Sequence, residues 1–241
     1  MRAVITAGGL VDGAFREAAG TAVKALAPLG AASLIDVALE ACAAARIEGV
    51  AVVGGAEVRA HVRERDVRVI DADADGGVNL LRALDAWPAE RFVYLTSDMP
   101  FATGDGLRDF IARSAPYGLA MALAEAEVYE ARFRGAPQHA VTLGSERVAN
   151  GNAFVLAPDA IAPARALAAR FFAARKSLPK MALLLGPGMI VRFALRRLTI
   201  ADLERFGTRR LGVPVGAVRG CDPGLCFDVD TVAEYEYARR A

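Results

Sequence analysis

The chain is predicted to fold as α/β, with helices layered on a mixed, mostly parallel sheet, and three observations predict it. Short apolar runs alternate with stretches of helical periodicity along the sequence, which is the pattern of βαβ units. Hydrophobic residues make up 54% of the 241 and charged residues 24%, so a full core can be buried. After Pro116 the rhythm shifts toward strands that read as antiparallel, and a sheet that is parallel first and antiparallel later is common in large α/β folds.

The elements follow in order. "AVIT" (3–6), "VAVVG" (50–54), "VRVI" (67–70) and "FVYLT" (92–96) read as buried strands. "SLIDVALEACAAA" (33–45) carries an apolar stripe at helical spacing, with Ser33 placed to cap it and Gly49 marking the turn into the next strand. Further helices are expected at about 77–87 and 104–114. "YGLAMALAEAEVYEARF" (117–133) and "QHAVTL" (138–143) read as antiparallel strands, and "AFVLA" (153–157) returns to the core. No internal repeat and no flexible linker interrupts the pattern, so one domain is expected over residues 1–241, with a basic, apolar helical segment at about 165–211.

Composition narrows the partners. The net charge is +1, so no basic excess points to nucleic acid, and a small molecule or another protein is the expected partner. Cys42, Cys221 and Cys226 with His61 and His139 supply neither a disulfide framework nor a zinc set, and read as ordinary reduced thiols and scattered histidines. No apolar run reaches the roughly 18 residues of a membrane span, and the first residues read as a strand, so the expectation is a soluble cytoplasmic protein. One regional bias stands out. Arg165 to Arg197 holds eight basic residues and no acidic one, in a helical pattern broken at Gly186-Pro187-Gly188. Such a stretch suits a membrane-surface helix, a lid over an anionic substrate, or an outer layer of the domain.

Several motifs carry chemistry. In open α/β sheets ligands bind beyond the carboxyl ends of strands. Gly8 and Gly9 follow the first strand there, and glycines let backbone N–H groups approach phosphate oxygens closely. "KALAPLG" (24–30) puts Lys24 at the far end of that loop, where an ammonium can neutralise polyphosphate. "FVYLTSDMPF" (92–101) runs a strand straight into Asp98, a carboxylate suited to a hard cation such as Mg²⁺. "CFDVDT" (226–231) alternates like a strand, so Asp228 and Asp230 share a face if it is extended; one of them suits the same cation, and the other, or Thr231, suits capping the final helix. "DADADGGVNLLR" (71–82) imitates the first half of a calcium loop, but Arg82 stands where a bidentate Glu is required.

Taken in order, "AVITAGG", "KALAPLG", "GGVNLLRAL", "LTSDMPF", "GNAFVL" and "FDVDT" resemble the nucleotidyltransferase superfamily, and within it the MobA-like group named after molybdenum-cofactor guanylyltransferase. The resemblance covers nearly the whole chain and implies a three-layer α/β/α, Rossmann-like fold of the glycosyltransferase-A type. It implies a Mg²⁺- or Mn²⁺-dependent enzyme that moves a nucleoside monophosphate from a triphosphate to a small anionic acceptor and releases pyrophosphate. Ala7, Gly8, Gly9 and Lys24 would hold the triphosphate, Gly76, Gly77 and Asn79 the base, Asp98 the metal with Asp230 or Asp228, and Asn152 the acceptor. Lys24 and Asp98 would be the catalytic pair. For the acceptor, the residues themselves add Tyr129, Arg132 and Arg134 on the expected antiparallel extension and Arg175, Lys176 and Lys180 in the basic segment, since arginine forks suit phosphate or carboxylate. The chain departs from the family where an arginine-bearing RMG-like element usually precedes the lysine; here "GGLVDGAFREAAGTAVK" leaves Arg16 isolated, so no base is implied. A glycosyltransferase using a nucleotide sugar, with "DVD" as its metal motif, and a non-catalytic nucleotide-binding or membrane-surface module are the alternatives.

Overall fold

Ala3, Val4 and Ile5 are all fully buried, so the first strand lies inside the sheet with both faces covered. The computed structural model describes residues 1–137, 140–174, 177 and 183–241. β1 (Arg2–Thr6) leads through α1 (Gly13–Ala19), a 3-10 turn at Lys24–Leu26 and the small hairpin β2 (Pro28–Leu29) and β3 (Ala32–Ser33) into α2 (Leu34–Ala44). β1 pairs in parallel with β4 (Gly49–Gly54) on one side and β6 (Phe92–Thr96) on the other, and β5 (Val67–Asp71) extends the sheet beyond β4. These strands match the runs expected from the sequence to within a residue. β9 (Glu146–Leu156) runs antiparallel to β6; β7 (Leu119–Glu125) pairs antiparallel with β9, and β10 (Val215–Val218) closes that edge parallel to β7. β8 (Ala140–Leu143) pairs antiparallel with the first part of β9. The order is β10-β7-β9-β6-β1-β4-β5, in which β9 alone opposes its neighbours, so the sheet is mixed and mostly parallel.

Alternation along β1 divides the core into two layers. Ala3 and Ile5 face Val52, Val93 and Leu95 under α2 and α5 (Gly104–Arg113). Val4 faces Ala51, Val53 and Phe92 under α4 (Gly76–Leu84), α7 (Pro158–Ala174) and α9 (Ile200–Leu211). Helices on both faces of the sheet give the three-layer arrangement that the resemblance implied. A third, aromatic cluster sits to one side and joins Phe15, Tyr129, Phe133, Phe227 and Tyr235. It fastens α1 to α10 (Val232–Arg240), with Phe15 and Tyr235 stacked at 5.2 Å. The stretch that replaces the family's arginine element is therefore a helix pinned to the C-terminal part of the chain. The basic segment consists of α7, then α8 (Pro187–Ala194), whose N-cap is Gly186 in the left-handed region at φ +85°, and reaches α9. Arg175, Lys176 and Lys180 lie outside the described residues.

Two expectations are corrected. Residues 117–133 are not strand throughout: β7 ends at Glu125 and α6 spans Ala126–Arg132. Ala126, Tyr129 and Phe133 sit at i, i+3 and i+7 and are all buried, Tyr129 and Phe133 in the aromatic cluster, a helical period that outweighs the apparent alternation. Residues 226–231 do not join the sheet: Cys226 ends a 3-10 turn in the right-handed region, and beyond it Phe227 and Val229 are fully buried while Asp228 and Asp230 are not, which is the alternation expected. All three cysteines are free and buried, and burial pushes the Cys221 thiol up to about 11 and Cys42 up to about 12.

Ser33 caps α2 through Asp36, whose Oδ2 accepts from the Ser33 backbone N–H at 2.9 Å and from its hydroxyl at 2.6 Å. His61 Nε2 lies 3.1 Å from the same carboxylate and Arg65 donates to it at 2.6 Å. Burial alone would raise the Asp36 pKa; the Ser33 hydrogen bonds and then His61 outweigh it and hold the group below its ordinary 3.8. A depressed carboxylate contributes stability above its unfolded pKa and loses it as pH falls through the folded value. Asp36→Asn is expected to cost about 1–2 kcal/mol near neutral pH. In urea unfolding, its deficit against the parent chain shrinks as the pH is taken below 3.8.

Candidate active site

From β1 the chain builds outward through β4 to β5, then returns to lay β6 on the other side of β1. The loops after β1 and β6 consequently part at a topological switch point, where open α/β sheets form a crevice. Thr6 pairs with both Val53 and Thr96, so the carboxyl ends of β1, β4 and β6 finish level. The glycine loop and the Ser97-Asp98 turn leave from that level side by side.

Lys24 reaches the crevice because its backbone is anchored there: its N–H donates to Gly9 C=O at 3.0 Å, and Leu10 bridges to Val23. Its ammonium lies 2.5 Å from Asp98 Oδ2 and 2.6 Å from Asp230 Oδ1. Asp230 comes from the far end of the chain, drawn in by Val229 N–H donating to Asp98 C=O at 3.0 Å. Thr231 caps α10, and Glu234 accepts from the backbone N–H groups of Asp230 and Thr231, both at 2.6 Å. The capping role expected of Thr231 is thus filled. Burial lowers the Lys24 pKa, but the Asp98 charge and the hydrogen bonds to Asp230 and Asp98 leave it raised, so the ammonium stays protonated.

The second oxygen of Asp98, Oδ1, is buried and makes no hydrogen bond among the described residues, and the same holds for Thr96 Oγ1 and Asn152 Nδ2. Leu95 opposes Ala153 across β6 and β9, so Asn152 lies at the same end of the sheet as Asp98. Tyr94 joins this group through its hydroxyl, 2.9 Å from Thr6 Oγ1. Burial and the Asp98 charge raise its pKa against the opposing Thr6 hydrogen bond. Unpaired buried polar atoms are costly and call for a ligand, an ion or water. Asp98 and Asp230 are the carboxylates brought together at the Lys24 ammonium, and among the described residues no set of three or more His, Cys, Asp or Glu comes within reach of one ion.

Beside the pair runs a cleft of about 320 Å³ lined by Ala7, Gly8, Leu10, Gly55, Ala72 and Asp73. Gly8 forms its wall because nothing larger fits: a Cβ there would lie 2.8 Å from both Ala72 Cβ and Asn79 Nδ2. The Asn79 side chain accepts from Asp73 N–H at 2.6 Å and donates to Asp73 C=O at 2.9 Å, locking the loop after β5. Asn79 therefore braces the wall. Gly76 is open, whereas Gly77 donates to Asp75 at 2.7 Å and lies under the Phe172 ring, so its backbone is covered. Arg82 binds back to Asp71 C=O and Asp73, so the aspartates that imitate a calcium loop cap and brace α4.

The structure gathers Ala7, Gly8, Gly9, Lys24, Asp98, Asp230 and Asn152 at one sheet end. Others lie apart. Tyr129 is 2% exposed inside the aromatic cluster and presents no face to an acceptor, because α6 turns it inward. Arg132 pairs with Asp222 and lies over the Phe133 ring at 5.4 Å. Arg134 is exposed in the turn that follows. Asp228 is half-buried and contributes to raising the Tyr129 pKa, after burial. Sequence reading missed Thr96, Gly55 and Asp73; a Gly pair ending β4 just as Gly8-Gly9 follow β1 was the available signal.

The MobA-like NTP transferase domain family matches residues 3–206. No curated protein matches the chain. Among solved structures, a hypothetical transferase from Thermus thermophilus is 26% identical, with 98% of each chain covered and a TM-score of 0.84. A nucleotidyl transferase from Methanothermobacter thermautotrophicus is 19% identical over 99% of this chain and 95% of that one, at a TM-score of 0.58. A 4-diphosphocytidyl-2C-methyl-D-erythritol synthase from Anaerococcus prevotii is 11% identical over 99% and 96%, at 0.59. The latter two likenesses are of fold.

The two glycines behave oppositely. Gly8→Ala forces a Cβ against Ala72 and Asn79 and is expected to cost about 1–3 kcal/mol in urea unfolding. Gly9→Ala meets Lys24 at an ordinary 3.8 Å and is expected to leave stability unchanged.

Proposed function

Because the chain belongs to the MobA-like NTP transferase family and is a nucleotidyltransferase, we propose that it moves a nucleoside monophosphate from a triphosphate to a small anionic acceptor at the Lys24 site. The observation that carries this reading is the ammonium of Lys24 held between Asp98 and Asp230 next to the bare turn at Gly8-Gly9.

In such a transfer an acceptor oxygen attacks the α-phosphorus, the bond to the bridging oxygen breaks, and pyrophosphate carries the electron pair away. Anion must approach anion, so positioning and charge neutralisation supply most of the acceleration. Backbone N–H groups of Gly8 and Gly9 are suited to orienting phosphate oxygens, whereas that of Ala7 donates to Val53 C=O at 2.8 Å and fixes where the loop leaves the sheet. The unpaired Oδ1 of Asp98 and the Asp230 carboxylate fit a hard divalent cation, which takes one or two carboxylates and fills its other positions with water and phosphate. Bound there, Mg²⁺ or Mn²⁺ would supply charge stabilisation at the phosphates. Lys24, with its carboxylate partners then satisfied, has the phosphates to neutralise. Asn152 offers an amide donor to the acceptor.

Thermal unfolding with ATP, GTP, CTP and UTP, with and without Mg²⁺, tests the reading. At one hundred times Kd the cognate triphosphate adds about 2.7 kcal/mol, or roughly 5–10 °C for a chain of this size. The shift is expected for one base, only with Mg²⁺, and is lost in Asp98→Asn; no shift with any triphosphate would remove the site. In turnover assays Asp98→Asn is expected to abolish activity and Lys24→Ala to lower it by about 10²-fold or more. A near-normal rate in either folded variant would take that residue out of the mechanism.

A further inference from the structure

We propose that α8 and the turn behind it, residues 187–197, form a docking surface for an anionic phospholipid bilayer. No residue of α8 is buried. Residues 191–197 are exposed without a break, with Val191 at 54%, Phe193 at 70% and Leu195 at 60%. Of eight exposed large hydrophobic side chains among the described residues, these three and Leu183 come from one short stretch. Scattered exposed apolar residues need no explanation, but Val191 and Leu195, four residues apart, share one side of α8 and stand bare together, while Phe193 points to the other side, toward a cleft it lines with Thr142 and Leu143.

Charge says which contact. Arg196 and Arg197 follow the apolar tip, both exposed, and neither forms an ion pair among the described residues. The surrounding stretch from Arg165 to Arg197 contains no acidic residue. Apolar side chains flanked by arginines suit a helix lying at the headgroup boundary, with side chains in the acyl region and cations among the phosphates. Eight residues of helix span about 12 Å, far short of a bilayer core of about 30 Å, so this element lies in the surface rather than crossing it. No helix of the described residues is long and apolar enough to cross a membrane. A second copy of the chain is the poorer occupant: a two-fold contact through this patch would set Arg196 and Arg197 against a face that is itself basic. Nucleic acid would leave Val191 and Leu195 without an apolar medium. Arg192 is already committed to Asp202 at 2.6 Å, which fixes α8 against α9 and presents the apolar tip on a braced support.

Co-sedimentation of the full chain with phosphatidylglycerol–phosphatidylcholine vesicles, beside pure phosphatidylcholine vesicles, tests the proposal. Binding is expected to the anionic vesicles, at least tenfold weaker to the neutral ones, and weaker at high salt. Phe193→Asp with Leu195→Asp is expected to lower the vesicle affinity at least tenfold. Arg196→Gln with Arg197→Gln is expected to lower it about 30-fold, at about fivefold for each basic residue near the surface. Circular dichroism checks folding, and if the Asp variant misfolds, the Gln variant carries the test. A parent chain that stays in the supernatant with anionic vesicles overturns the proposal, as does equal sedimentation of the parent and a folded variant. So does a dimer in sedimentation velocity that Phe193→Asp dissolves while no vesicles are bound, since the face would then belong to a second copy.

Discussion

The ammonium of Lys24 lies between the carboxylates of Asp98 and Asp230, and much of the chain's layout follows from holding those three groups together. They come from a loop after the first strand, a turn after the sixth and the last stretch before the final helix. Each is delivered by a backbone bond rather than by its own side chain: Lys24 N–H to Gly9, and Val229 N–H to Asp98 C=O. Partial burial weakens the solvent's hold on the charges, so removing one member would leave the others poorly compensated. The cluster therefore depends on every element that feeds it.

The aromatic cluster is what makes that delivery stable. Phe227 sits one turn of chain before Asp230 and packs against Phe101, Tyr129 and Phe133. Phe101 itself lies just beyond the Asp98 turn, so one set of rings clamps both carboxylate-bearing segments. Each fully buried ring of this kind contributes about 1.5–3 kcal/mol. Tyr129, which by sequence offered itself to an acceptor, serves here as a wall of that clamp. The helix that stands in the first loop, α1, is held to the same rings through Phe15.

The glycine wall and the basic arm divide recognition between two regions. At the cleft, Gly8 lets Asn79 and Ala72 close in, so the loops after β1 and β5 touch at its wall. At the other extreme, α8 stands on α9 through the Arg192–Asp202 pair and turns its apolar side chains outward. The first region is shaped by close approach of backbones, the second by apolar side chains left exposed.

By itself the sequence determined the strand runs, the parallel start of the sheet, the capped α2 and the glycine, lysine and aspartate landmarks, because these rest on local periodicity and on backbone demands that only certain residues meet. Asp98 and Lys24 were legible for that reason. Only the tertiary structure decided that Lys24 meets Asp98 and Asp230 together, that Tyr129 turns inward on a helix and that Asn79 braces a loop. Those outcomes depend on contacts between residues as much as 206 positions apart, and short-range patterning carries no information on such distances. The same holds for Thr96 and Asn152, whose unpaired buried atoms become visible only once β9 is laid antiparallel against β6.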